Sequence, residues 1–240
     1  MDKPEDQNRA QLDFYAGIAQ RHTDAPFGHG EADFALPFLV GQIQLRGWTS
    51  LLDVGCGSGR LLSMIERAVR LQRLVGLEPS PDLRALAARD YGLGPDRIVA
   101  GDAVQLPYAD NEFDVVSEFA VLHHVRQPRQ ALSEMIRVAR HAVLVVDSNN
   151  FGQGGWLARR CKQAARRLGL WNALDRLRTG GKGYHISEGD GLYYSYSVFS
   201  DIDLLRDAFA TVHVANSTGF SVDHYRDAPG VVVMALDKRR

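Results

Sequence analysis

Three glycines at alternate positions, Gly55, Gly57 and Gly59, follow an apolar run broken by the acid Asp53 in the stretch LLDVGCGSGR, residues 51–60. Glycine admits backbone angles that a β-carbon forbids and lets a ligand lie against the main chain. The amides that open the following helix then face that ligand. A tight turn without a ligand would tolerate the same glycines, so the case for chemistry needs further residues. Acids provide them: Glu78, Asp102, Glu118 and Asp147 each stand at or just past the end of an apolar run, a placement that core packing alone does not ask for. His123 and His124 come soon after Glu118. Histidine titrates near neutrality and can take a proton from an attacking group, although packing and backbone hydrogen bonding would suit the pair equally well.

The elements that must position these residues read as alternating strands and helices. Strand-like runs are expected at 51–54, 73–78, 97–100, 113–119 and 141–147, and helical spacing follows Gly59 and covers 81–91 and 129–138. Such alternation builds a parallel sheet with helices on both faces, and ligands bind beyond the carboxyl ends of its strands. A helix at 201–209 and strands at 211–216 and 230–236 are expected to close the sheet with an antiparallel pair. The fold class is thus α/β, a Rossmann-like, mostly parallel seven-stranded sheet.

Composition narrows the function. The 28 basic and 29 acidic side chains nearly cancel, which speaks against nucleic acid as a partner. The polar N-terminus MDKPEDQNRAQLDF lacks the apolar core of a signal peptide and no run reaches membrane-spanning length, so the cytoplasm is the expected location. Two cysteines, Cys56 and Cys161, cannot build a disulfide framework or a cysteine-rich zinc site.

The glycine spacing is G-x-G-x-G rather than the dinucleotide pattern G-x-G-x-x-G, and Glu78 follows nineteen residues after Gly59, where an acid can accept both hydroxyls of a ribose. An acid capping the next helix through PSPDL would also explain Glu78. Taken together, Asp53-Val-Gly-Cys-Gly-Ser-Gly, Glu78-Pro-Ser, Gly101-Asp102-Ala103 with Leu106-Pro107-Tyr108, Phe113-Asp114-Val115-Val116 and Val121-Leu122-His123-His124-Val125 resemble the class I S-adenosylmethionine-dependent methyltransferases. The small-molecule branch that holds the ubiquinone-pathway enzymes is the nearest in motif, over about residues 45–147. The resemblance implies that Gly55, Gly57 and Gly59 lie against the methionine part of S-adenosylmethionine, with Asp53 near its amino group. It further implies Glu78 on the ribose hydroxyls, Asp102 and the Ala103 amide on the adenine, and Glu118 and Phe119 at the methionine end, with S-adenosylhomocysteine as product. Asp147, Asn149 and Asn150 with Glu118 also read as oxygen ligands for magnesium, but the motifs fit the metal-free branch better, so no metal is expected.

One domain over 1–240 is expected, with a helical cap at 1–45 and a substrate lid inserted at 150–198. In the cap, Tyr15 and His22, with His29 beside them, are candidates to touch the acceptor. Between Trp156 and Lys182 eight basic residues face one acid, interleaved with tryptophan and leucine, as in a basic amphipathic helical pair. Three uses are open to it: a solvated face, recognition of an anionic acceptor through residues such as Arg159 and Arg160, or contact with an anionic membrane surface. The following GGKGYHISEGDGLYYSYS, residues 180–197, reads as a mobile loop whose Tyr184, His185, Glu188, Asp190, Tyr193 and Tyr194 would bond a hydroxylated acceptor, His185 being a further candidate base beside His123 and His124. The expected activity is methyl transfer to a hydroxyl of a small polar acceptor. A nicotinamide-dependent oxidoreductase and a non-catalytic S-adenosylmethionine-binding regulator are the alternatives, and the oligomeric state is open.

Overall fold

The structure is a computed structural model that describes residues 4–20, 29–217 and 222–239, with the side chains of 9–17, 34–217 and 222–239. Two helices, α1 (Pro4–Gln20) and α2 (His29–Arg46), precede β1 (Ser50–Val54), α3 (Arg60–Ala68), β2 (Arg73–Leu77), α4 (Pro81–Tyr91), β3 (Ile98–Val99), β4 (Phe113–Phe119), α5 (Pro128–Val138) and β5 (Ala139–Ser148). Two further helices follow, α6 (Trp156–Arg167) and α7 (Trp171–Arg178), then a hairpin of β6 (His185–Ser187) and β7 (Gly191–Tyr193). The chain finishes through α8 (Ile202–Ala208), β8 (Phe209–Asn216) and β9 (Gly230–Lys238).

Seven strands form one sheet in the order β3-β2-β1-β4-β5-β9-β8. The pairs from β3 to β5 are parallel, and β9 runs antiparallel to both β5 and β8, so the expected C-terminal antiparallel pair is present. The alternation along β5 shows why the sheet is sandwiched. Val143 and Val145 join the cluster that includes α5 and α8, while Ala142, Leu144 and Val146 join the one that includes α2 and α3. A strand buried on both faces reads as the unbroken apolar run AVLVV.

Local signals set the helix ends. Ser80 caps α4 by accepting from the Leu83 amide at 3.3 Å, Pro81 fills the first turn and Gly92 ends the helix in the left-handed region. The N-terminal helices divide their work: α2 packs on β5, β9 and α3 and so flanks the sheet, whereas α1 reaches α4 and β7. Residues 180–197, read above as a mobile loop, instead carry the β6–β7 hairpin, with His185 paired to Tyr193 and Gly191 set against Phe14 of α1. Among the described residues no helix is long and apolar enough to cross a membrane.

Candidate active site

The glycine turn joins the carboxyl end of β1 to α3, and its three glycines all lie at positive φ. They serve different purposes. A β-carbon on Gly55 would stand 2.5 Å from Val121 and one on Gly59 2.6 Å from Leu93, whereas at Gly57 nothing lies within 4 Å. A β-carbon at Gly55 or Gly59 would thus run into the protein's own core, whereas one at Gly57 would border open space. Gly59→Ala is expected to destabilise the fold by about 2–4 kcal/mol, from the left-handed backbone plus overpacking. Gly57→Ala carries the backbone contribution alone, about 1–2 kcal/mol. Thermal unfolding of the two variants checks the difference.

Around this turn stand buried acids. Asp53 accepts a hydrogen bond from Ser117 Oγ at 2.8 Å, and burial, offset in part by that bond and reinforced by Glu78, pushes its pKa up to about 7. Glu78 accepts from the Gly57 amide at 3.0 Å and the Ser80 amide at 2.8 Å; burial again raises its pKa, against those two bonds. Thus Glu78 clamps the turn to the start of α4, which combines part of the capping alternative with a carboxylate aimed at the glycines. Glu118 is fully buried, and its two oxygens accept from the Val121 and Val146 amides at 2.9 and 3.0 Å. Burial, with Asp147 beside it, holds its pKa well above the usual range. Phe119 is half-buried against the α2–α3 side of the core. Asp102 is exposed and accepts from the Val104 amide at 3.1 Å, and Ala103 is buried next to it.

The Asp53 shift has a sign that can be checked. The native state keeps this proton up to about pH 7, whereas an unfolded aspartate loses it near 3.8, so the stability tied to Asp53 falls as pH rises from about 4 to about 7. Asp53→Asn keeps an acceptor for Ser117, removes that pH dependence, and should be the more stable protein at pH 8 by an amount on the order of 4 kcal/mol, read from denaturant unfolding at pH 5 and pH 8.

Beyond the end of β4 a short 3-10 turn, Leu122–His124, carries both histidines, their ring centroids 4.0 Å apart, but they take different partners. His124 Nδ1 donates to the Leu192 carbonyl at 2.7 Å, while Gln11 of α1 accepts from the Leu192 amide at 2.6 Å, so His124 ties the hairpin and α1 to the turn. His123 instead donates from Nδ1 to Asp147 Oδ1 at 2.7 Å, and its Nε2 faces Asp190 Oδ2 at 3.6 Å. Burial pulls the His123 pKa down, but the Asp147 charge and hydrogen bond, with Asp190 behind them, hold it well above the ordinary histidine value. Asp147 is likewise resisted by burial yet kept below the usual range by His123. Hydrogen bonds and charge from both histidines keep Asp190 ionised.

His123 opens on a cavity of about 260 Å³ whose other walls include His185, Asp190, Tyr193, Tyr194 and Arg178. Asn150 also lines it; its own oxygens take Lys162, and its Nδ2 donor is buried without a partner among the described residues. His185 stacks on Tyr193 with ring centroids 5.2 Å apart. Tyr15 does not line this cavity but stands edge-on to His124, 6.2 Å between centroids. Burial raises its pKa further than the charges of Glu78 and Asp190 do, yet both reach it, so α1 bridges the acid-lined turn and the cavity.

Other expected acceptor residues are placed elsewhere. Tyr184 is buried against Tyr194, Glu188 and Arg160 are exposed, and Arg159 pairs with Asp227 at 3.4 Å; none of the four lines the cavity. The reason is tertiary: Arg178, not Arg159 or Arg160, is the arginine of α6 and α7 that reaches the wall. His22 lies outside the described residues, as does the side chain of His29. The magnesium set is not assembled, since the Asp147 oxygens face the His123 ring and the Ser148 amide and Asn149 bonds the carbonyls of His224, Tyr225 and Ala228. Among the described residues His123, His124 and Asp190 are the one group of three whose ligand atoms lie within 4.8 Å of one another. The main additions are the partners of the histidines: Asp147, legible as a strand-end acid, holds His123, and Asp190, legible as a hydrogen-bonding group of the 180–197 segment, faces both rings.

Comparison with known proteins bears on the fold and the first half of the chain. Residues 52–146 match the family model described as a methyltransferase domain. A 2-phytyl-1,4-naphtoquinone methyltransferase of Synechocystis is 39% identical over 95 residues, covering 38% of this chain and 40% of that protein. Among solved structures, the DhpI–SAH complex superposes with a TM-score of 0.61 at 16% identity over 97% of both chains. A SAM-dependent methyltransferase of Thermotoga maritima, described as a possible histamine N-methyltransferase, gives 0.57 at 16% over 94% of this chain and 98% of that one. Residues 52–146 are therefore similar to a methyltransferase domain, and the chain shares its fold with S-adenosylmethionine-dependent methyltransferases of known structure. It spans less than half the length of the curated relatives it matches.

Proposed function

We propose that the protein binds S-adenosylmethionine at the glycine turn and transfers its methyl group to a hydroxyl of a small polar acceptor held in the cavity beside His123. The observation that carries this reading is the His123–Asp147 pair opening on a polar cavity next to the acid-lined turn. The residues present suit the cofactor: open space beside Gly57, and buried carboxylates at Asp53 and Glu78 whose partners are a hydroxyl and backbone amides. Such groups complement a cationic, hydroxylated ligand. Asp53 would sit near its ammonium group, Glu78 near its ribose, Asp102 and Ala103 near its adenine, and Glu118 with Phe119 would shape the methionine end. The bound cofactor supplies a methyl group activated by a sulfonium.

The chain's own residues then align the acceptor and exclude water, which is most of what an in-line displacement asks of a protein. Asp147 fixes the His123 ring with Nδ1 protonated, leaving Nε2 for the acceptor proton. Because Asp147 and Asp190 favour the charged imidazole, the neutral base grows as pH rises, and the rate should climb through a pKa above the ordinary histidine range. Asn150 Nδ2, Tyr193 and Tyr194 suit an acceptor rich in oxygens, such as a sugar. The test is release of S-adenosylhomocysteine across a panel of hydroxylated acceptors at several pH values. Turnover rising toward alkaline pH supports the reading; turnover only with amine acceptors would contradict the hydroxyl assignment.

A further inference from the structure

Helices α6 and α7 carry a surface that the methyl-transfer reading does not use. Trp156, Leu157, Leu168, Leu170, Leu174 and Leu177 are all at least half exposed, Leu177 to 84%. Ile186 on the adjoining hairpin is 65% exposed, between His185 and Ser187, which line the cavity. Isolated apolar side chains on a surface are ordinary, but a run of leucines and a tryptophan on one helical pair marks a docking face.

The charges sort themselves around it. Arg159, Lys162 and Arg166 turn inward, to Asp227, to Asn150 and to the Phe151 ring with the Phe199 carbonyl respectively. Arg160, Arg167, Arg176, Arg178 and Lys182 remain exposed and form no ion pair within the set of described residues. The single acid of the segment, Asp175, is drawn toward the domain by Ser195 Oγ at 2.6 Å. What faces outward is therefore apolar and cationic, with its negative charge withdrawn.

We infer that the α6–α7 face docks on an anionic lipid bilayer, its leucines and Trp156 entering the headgroup boundary and its exposed arginines and lysine meeting lipid phosphates. Long basic side chains with apolar stems suit that boundary, and each one near an anionic leaflet adds about fivefold to partitioning. A second copy of the chain suits the face less, because a two-fold contact would set the same cations against each other. Arg178 belongs both to this face and to the cavity wall, so a docked molecule would hold its acceptor cavity beside the membrane. The inference is independent of the methyl-transfer reading.

Cosedimentation with vesicles tests it. The full chain should pellet with vesicles of equal parts phosphatidylcholine and phosphatidylglycerol, far less with phosphatidylcholine alone, and less as salt rises. The pair Leu174→Asp with Leu177→Asp, and separately the triple Arg167→Glu, Arg176→Glu and Lys182→Glu, should each lower partitioning at least about tenfold. Unchanged S-adenosylhomocysteine affinity would show that both variants fold. No pelleting with the mixed vesicles, pelleting that neither variant weakens, or self-association without vesicles that the leucine variants abolish would each overturn the proposal. A chain that binds vesicles but not S-adenosylhomocysteine would sustain the docking face and contradict the methyltransferase reading instead.

Discussion

Replacing His123 with alanine lowers kcat for methyl transfer by about 10²- to 10⁴-fold, the usual contribution of a positioned proton acceptor, while affinity for S-adenosylhomocysteine stays within about threefold. The expectation rests on geometry: His123 lines the cavity and Asp147 orients its ring at 2.7 Å. Asp147→Asn provides the finer test. Loss of the carboxylate removes the charge that holds the imidazole protonated, so the rising limb of the pH–rate profile should move to lower pH even as the maximum rate falls, because the ring is less firmly oriented. His124→Gln, by contrast, should act chiefly through the hairpin it anchors, raising KM more than it lowers kcat. Equal losses from His123 and His124 variants, with no movement of the pH profile in Asp147→Asn, would reduce the pair to a packing role.

Glu78→Ala is the second large effect, a loss of at least about tenfold in affinity for S-adenosylhomocysteine. Removing this buried carboxylate leaves the Gly57 and Ser80 amides without their acceptor and would leave ribose hydroxyls unpaired in a dry site, each at about 1–3 kcal/mol. Because the side chain also clamps the turn to α4, melting temperature should fall as well. The two effects separate in Glu78→Gln, which keeps a carbonyl oxygen for one amide and recovers part of the stability. If affinity is unchanged in Glu78→Ala while stability drops, the residue is a clamp for the turn and nothing more.

Much of this architecture is readable from side-chain pattern. The run AVLVV of β5 is buried on both faces and so appears as an unbroken apolar stretch, while β4, FDVVSEF, is buried with Asp114, Ser117 and Glu118 among its apolar residues. The acids at strand ends are legible for the same reason: they interrupt a core pattern that has no use for charge. Other features depend on tertiary partners. Strands β6 and β7 have three residues each, too short for period-two alternation to register, and their place is set by Gln11 and His124 from distant segments. The split between the two adjacent histidines cannot be read from LHHV, since it follows from Asp147 approaching one ring and the Leu192 carbonyl the other. In α6 and α7 the basic residues look interchangeable until Asp227, Asn150 and Phe151 claim three of them. Likewise the three alternate glycines look alike until the packing shows Val121 against one, Leu93 against another and open space beside Gly57.

The central claim is that the turn at Gly57, with Asp53 and Glu78, is a binding site for S-adenosylmethionine, and calorimetric titration of the purified protein addresses it most directly. Micromolar binding of S-adenosylmethionine and S-adenosylhomocysteine, with no heat from reduced nicotinamide dinucleotide, is the predicted result. Binding of the nicotinamide dinucleotide with no response to either sulfur compound would contradict the assignment of the turn and the proposed activity with it.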